Sequence, residues 1–238
     1  MDFIQSVIKA NQEIYELLMT DNPLLKQKLQ RGAGGDISRV VDMEAEKIFV
    51  KHLGKFGQII SEESGVIGEG KESIIIDPID GSENFISGLP YFGSSVARKK
   101  DGKICDGVIC NFANGDIFIK NDKGFKKANI KREDFSEITS NNYATIGIYE
   151  RAYASSKLVC KVNKIGLKYR SPGALALSLA YAYDFRFVIF EGKVREYDIA
   201  AGMYMCDDME VLLENEVMLI SNDKKLFERL TTIVRGLK

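Results

Sequence analysis

Two aspartates three residues apart close an apolar run in "SIIIDPIDGSENF", Ser73 to Phe85. A β-branched run bounded by turn residues reads as a buried strand, so Asp77 and Asp80 are expected where that strand leaves the core. Taken alone, Asp-Pro and Asp-Gly are ordinary turn formers. Two further motifs add acids in related settings: Glu62 and Glu63 follow an apolar strand in "IISEESG", and Asp198 precedes a helix rich in small residues in "EYDIAAGMYM". Each has a plain alternative, solvated loop acids for Glu62 and Glu63 and a helix N-cap for Asp198. Together they offer the hard oxygen donors that Mg2+ takes while keeping several of its waters. Beyond Gly81, "SENFI" reads as a helix start whose free N–H groups suit a phosphate, with Ser82 near the cap. Metal-assisted phosphate ester hydrolysis uses such a set, and it requires no histidine or cysteine nucleophile.

"DPIDGSENF", with "EES" upstream and "YDIAAG" downstream, resembles the inositol monophosphatase family. That family belongs to the lithium-sensitive, metal-dependent phosphatases, with fructose-1,6-bisphosphatases and phosphoadenosine-phosphate phosphatases. The resemblance covers most of the chain in order. It implies a layered αβαβα sandwich of the sugar-phosphatase type, in the α+β to α/β class. It also implies that Glu62, Asp77, the carbonyl of Ile79, Asp80 and Asp198 bind two or three Mg2+ ions. Asp42, in "VVDMEAE", matches the acid that hydrogen-bonds the hydroxyl of Ser82; with Glu63 these form the expected catalytic set around an attacking water. Gly81 and Ser82 are the expected phosphate binders.

On the substrate side the resemblance points to Arg170, Gly173 and Ala174 in "YRSPGALALS", and to Glu191 and Arg195. Glu191 stands seven residues before Asp198, as an inositol-hydroxyl-binding glutamate does. Lys193 and Arg195 instead resemble basic residues of enzymes that accept fructose 1,6-bisphosphate. Ser82 replaces a commoner threonine, Tyr197 a usual tryptophan, and "CDDMEV" lacks a glycine-rich turn, which implies a shortened far edge of the C-terminal half. Lithium inhibition and a homodimer are further expectations from the resemblance.

The elements that must position these residues are legible from periodicity. Phe3, Ile4, Val7, Ile8, Ile14, Leu17 and Leu18 recur at helical spacing until "TDNP". "RGAGGD", Arg31 to Asp36, lacks the Lys-Ser/Thr ending of a nucleotide-binding P-loop and reads as a mobile connection. "VVDMEAEKIFVKHLG" reads as a second helix with Ala45, Ile48, Phe49 and Leu53 inward and Gly54 as its stop. From Gln58 to Lys131 short apolar strands alternate with turns, predicting a largely antiparallel sheet. Strand and helix then alternate, so residues 1–133 form an N-terminal α+β half with most of the metal ligands, and 134–238 an α/β half that contributes Asp198 and substrate contacts.

Thirty-three Lys and Arg against 34 Asp and Glu give a net charge of -1, which argues against a nucleic-acid or membrane-surface partner and for a small one. Cys105, Cys110, Cys160 and Cys206 form no CxxC pair and no zinc-type spacing with the only histidine, His52, so buried thiols in the cytoplasm are expected. His52 itself reads as a surface or packing residue. No apolar stretch reaches the ~20 residues that span a bilayer.

A haloacid-dehalogenase-type phosphatase also places acids after an apolar strand, but two apart on one face, whereas Asp77 and Asp80 are three apart with Pro78 between. A regulatory or RNA-polymerase-associated interaction protein of the same fold is the alternative of another class.

Overall fold

The computed structural model describes residues 1–20, 22–35, 37–154 and 156–237. Asp21 of "TDNP", Asp36 of "RGAGGD" and Ser155 lie outside the described residues. In chain order the first part comprises α1 (Phe3–Leu18), β1 (Lys28–Arg31), β2 (Ile37–Arg39), α2 (Val40–Leu53), β3 (Gln58–Ser61), β4 (Gly65–Ile67) and β5 (Ser73–Asp80). There follow α3 (Ser82–Ser87), β6 (Gly93–Lys100), β7 (Lys103–Asn111), β8 (Asp116–Asn121), β9 (Gly124–Asn129) and β10 (Ser136–Glu137). The rest comprises β11 (Gly147–Glu150), α4 (Ser156–Lys164), β12 (Tyr169–Arg170), α5 (Leu175–Ala180), β13 (Val188–Glu191), α6 (Glu196–Met205), β14 (Glu210–Glu214), β15 (Val217–Ser221) and α7 (Lys224–Arg235).

The strands form an eight-stranded sheet of order β10-β9-β8-β7-β6-β5-β3-β4, a five-stranded sheet of order β12-β11-β13-β15-β14, and the small β1–β2 pair. The large sheet is antiparallel except where β3 runs parallel to β5. Its last strand, β10, ends at Glu137, and the second sheet opens with β11 at Gly147.

Side-chain alternation builds the layers. Ile74 and Ile76 of β5 pack with Val7, Ile14, Ala45 and Phe49 of the first two helices, whereas Ile75 between them packs with Leu177 and Ala201 of α5 and α6. On the other side of α5, Leu175 and Leu179 meet Ile148, Val188 and Ile220 of the second sheet. That sheet's opposite face, through Tyr149, Ile189 and Leu219, is covered by Leu158 and Val162 of α4 and by Leu226, Leu230 and Val234 of α7. The order is therefore helix pair, sheet, helix pair, sheet, helix pair: the αβαβα sandwich expected from the sequence. The helix pair shared by both sheets carries Asp198 into the interior.

The small residues that follow Asp198 admit close approach. A Cβ built on Gly202 of α6 would lie 2.5 Å from the Cβ of Leu179, and Ala201 packs over Gly107 of β7. Gly202→Val is therefore expected to destabilise the protein by roughly 1–3 kcal/mol, since an overpacked core must shift backbone. A melting temperature unchanged within error would contradict this packing.

One expectation changes. Cys110 and Cys206 are buried, but Cys105 is half-buried and Cys160 exposed; all four are free thiols. His52 lies on α2, where Nε2 meets Glu13 Oε2 at 2.8 Å and ties α2 to α1, a packing role as expected. No helix among the described residues is long and apolar enough to cross a membrane.

Candidate active site

Parallel pairing places the first acids together. Ser61 of β3 lies opposite Ile76 of β5, so both strands run toward the same rim and the next residues, Glu62 and Asp77, arrive side by side. An antiparallel pair would send those two chain ends to opposite rims.

Asp77 and Asp80 need a second device, because residues three apart on a regular strand point to opposite faces. Asp77 pairs with Ser95 and Asp80 with Gly93, three residues against two, so the strand bulges at Pro78-Ile79. Proline suits the bulge because it has no N–H to contribute to the ladder. Both carboxylates then line one cleft of about 850 Å³. Gly81 follows at φ +81°, a conformation that suits glycine, and a Cβ there would also crowd the Tyr91 carbonyl at 3.0 Å. Gly81 is the cap of α3 and Ser82 its first residue; both line the cleft.

Asp198 enters from the other half. It is not the helix cap, the plain alternative read from sequence: α6 begins two residues earlier, Arg195 is its N-cap, and Asp198 stands in the first turn. Carboxylate oxygens of Glu62, Asp77 and Asp198 all lie within 4.8 Å of one another, and the three residues are buried. Asp80, also buried, accepts from the Leu177 N–H at 3.0 Å and lines the same cleft, as does Ile79.

Burial first, then the neighbouring charges of Glu62, Asp80 and Asp198, hold the Asp77 carboxyl well above the usual range. Burial does the same to Asp80, against the Leu177 N–H and reinforced by Asp198. Several carboxylates cannot share so little space in ionised form without positive charge among them. Hard oxygen donors from three separate elements fit a divalent cation.

Asp42 sits in the first turn of α2, where Oδ2 accepts the Arg39 N–H at 2.7 Å. Its Oδ1 is buried and has no hydrogen-bond partner among the described residues. Burial, then repulsion from Glu63, pushes its pKa up to about 7, against the Arg39 N–H. The direct bond to Ser82 that the resemblance implies is not made: Oδ2 is turned to the helix cap and Oδ1 has no hydrogen-bond partner among the described residues. Glu63 also lines the cleft and accepts from the Ser38 hydroxyl.

The glycine-rich loop is tied to the site through two of its amides. Ala33 N–H donates to the Glu63 carbonyl at 2.8 Å and Gly34 N–H to the Glu62 carbonyl at 2.7 Å, so the loop straps the acidic strand end.

On the substrate side, Gly173 and Arg195 line the cleft. Ala174 is buried, Arg170 is exposed with Nη1 on the Tyr169 carbonyl, and Glu191 accepts the Tyr149 hydroxyl at 2.6 Å. Arg195 reaches inward to Glu62 and Asp198, at 2.8 Å each.

Glu150 was missed from sequence, although it closes a strand, β11, much as Glu62 follows one. It is buried and accepts from the Gly173 and Ala174 N–H groups and the Ser178 hydroxyl, which pins the loop before α5. Arg31, Arg39 and Arg151 also line the cleft; nothing in their local spacing distinguished them from solvated surface charges.

The profile of the inositol monophosphatase family matches residues 2–209. A fructose-1,6-bisphosphatase/inositol-1-monophosphatase of Thermococcus kodakarensis is 31% identical over 230 residues, 91% of this chain and 86% of that one. The Nus factor SuhB of Xylella fastidiosa is 31% identical over 193 residues, 72% of this chain and 69% of that one. Among solved structures, a Thermotoga maritima IMPase superposes with a TM-score of 0.80 at 24% identity, covering 100% of both chains, which is a likeness of fold. The family match spans both the Asp77 strand end and the Asp198 helix that the fold draws together, and the chain belongs to the inositol monophosphatase family.

Proposed function

We propose that the protein is a Mg2+-dependent phosphomonoesterase that hydrolyses a small phosphorylated polyol or sugar of the inositol 1-phosphate type. The observation that carries this reading is the buried group of Glu62, Asp77 and Asp198 in a cleft that also holds Gly81, Ser82 and Asp42. Its volume of about 850 Å³ suits a small ligand.

Glu62, Asp77 and Asp198, with Asp80 and the Ile79 carbonyl, would hold two or three Mg2+ ions. Bound there, Mg2+ supplies charge to neutralise phosphate oxygens and to acidify the attacking water. Amides of Gly81 and Ser82 receive phosphate oxygens. Asp42, held by the Arg39 N–H, accepts the water's proton, with Ser82 and Glu63 orienting that water. Arg170, Gly173, Ala174, Glu191 and Arg195 form the substrate side of the proposal.

A fructose-1,6-bisphosphatase activity is the second reading, favoured by one observation. Arg31, Arg39, Arg151 and Lys193 line the same cleft as the acids and suit a second phosphate. The Thermococcus relative carries both activities in its name. Four free thiols are in keeping with cytoplasmic residence; a homodimer and inhibition by Li+ complete the proposal.

Phosphate release should be measured with Mg2+ over inositol 1-phosphate, fructose 1,6-bisphosphate and phosphoadenosine phosphate. Activity on at least one of the first two, abolished by excess EDTA, is expected. Full turnover in EDTA would end the metal-dependent reading.

A further inference from the structure

Arg195 occupies the acids that the preceding reading assigns to a metal. Its guanidinium forms a fork on Asp198, Nε to Oδ2 at 2.8 Å and Nη2 to Oδ1 at 3.1 Å, while Nη1 lies 2.8 Å from Glu62 Oε1. Both oxygens of Asp198 and one of Glu62 are thus engaged by a single planar cation. We propose that Arg195 is a built-in counter-cation that holds the metal acids together in the metal-free protein and must yield its place when a divalent ion binds.

The physical case is one of competition. Mg2+ contacts carboxylate oxygens at about 2.0–2.1 Å. A guanidinium fork on the same oxygens would then stand within a few ångströms of a doubly charged ion in a largely buried setting, where repulsion is weakly screened. Without either cation, buried carboxylates within 4.8 Å of one another would repel and spread. Arg195 therefore preserves the arrangement at the cost of metal affinity.

The side chain has somewhere to go. It lies over the Tyr197 ring, 5.3 Å from the centroid, and Nη1 is 3.4 Å from the Gly34 carbonyl, so a small rotation toward the strapping loop retains two partners while releasing the carboxylates. Its side chain is already 31% exposed, so it is not locked in by close packing.

This inference rests on the metal-site reading, and the experiment separates the two. Mg2+ affinity is measured by calorimetry on metal-free full-length protein for wild type, Arg195→Met, Arg195→Lys and Lys193→Ala, together with the metal-free melting temperature of each. Arg195→Met is expected to bind Mg2+ about tenfold more tightly, the scale set by hydrogen bonds between charged groups, and to melt lower without metal. Arg195→Lys, which keeps the charge but loses the fork, should fall between. Lys193→Ala removes the same charge from the same rim and should change affinity by less than about twofold, as an exposed and screened charge does. In wild type, the Arg195 Nε–H resonance should shift on saturation with Mg2+. If Arg195→Met will not fold without metal, Arg195→Lys and the Nε–H resonance carry the test.

Equal or weaker Mg2+ binding by Arg195→Met, beside a wild type that binds, overturns the proposal and leaves the metal site standing. Equal tightening in Lys193→Ala also overturns it, since the effect would then be the general field of the rim. Absence of Mg2+ binding in every protein overturns both readings.

Discussion

Asp77→Asn is expected to lower phosphate release by roughly a hundred- to a thousandfold, the scale lost when one group aimed at transition-state charge is removed, and yet to raise the melting temperature of the metal-free protein. The activity loss follows from the central place of Asp77 among Glu62, Asp80 and Asp198. An amide offers a neutral oxygen and forfeits the negative charge that a hard cation needs.

The stability gain follows from the sign of its pKa shift. The carboxyl is raised above its ordinary 3.8, by burial first and then by its acidic neighbours. The folded state therefore holds a proton that the unfolded chain releases. That contribution is fully present below about pH 4 and is lost as pH rises towards the folded value. At pH 7–8 the wild type has lost part of it, whereas asparagine has no charge to bury. The variant should melt a few degrees higher in EDTA, with a shallower decline between pH 4 and 8. Saturating Mg2+ should reverse the ranking. Wild-type turnover in Asp77→Asn would reduce the motif to a turn; a steeper pH decline in the variant would show that burial of this carboxyl is not what strains the metal-free fold.

Ser82→Ala and Asp42→Asn are each expected to lower kcat by roughly a hundredfold or more, within the range of general acid–base catalysis, with KM little changed. The two residues lie far apart in sequence, on α3 and α2, and no hydrogen bond joins them, but both line the cleft. Asp42 has one oxygen fixed by the Arg39 N–H and the other without a hydrogen-bond partner among the described residues, so its carboxyl is held in one orientation at the cleft. If both act on one water, the double variant should lose little beyond the worse single one. A loss equal to the product of the single losses, with metal content confirmed, would show that they act separately.

Local pattern carried much of this architecture. Helical spacing marked α1 and α2, with Phe3, Val7, Ile14, Ala45, Phe49 and Leu53 buried as expected. Alternation within "SIIID" separated two cores, Ile74 and Ile76 on one face and Ile75 on the other. Glu150 shows what pattern alone leaves out. It is the last residue of a strand, much as Glu62 is the first residue after one, but its importance comes from accepting the amides of Gly173 and Ala174, more than twenty residues away.

By itself the sequence determined which residue types could do the chemistry and the strand ends and helix start that carry them. Those follow from side-chain periodicity and turn chemistry, which act within a few residues. Tertiary structure alone decided that β3 runs parallel to β5, that a bulge at Pro78-Ile79 turns Asp77 and Asp80 into one cleft, and that Arg195 lies across Glu62 and Asp198. Each of these depends on pairing or charge balance between segments distant in sequence. Strand direction, bulge register and the partner of a buried charge are set by the free energy of the assembled layers, which no single stretch of the chain contains.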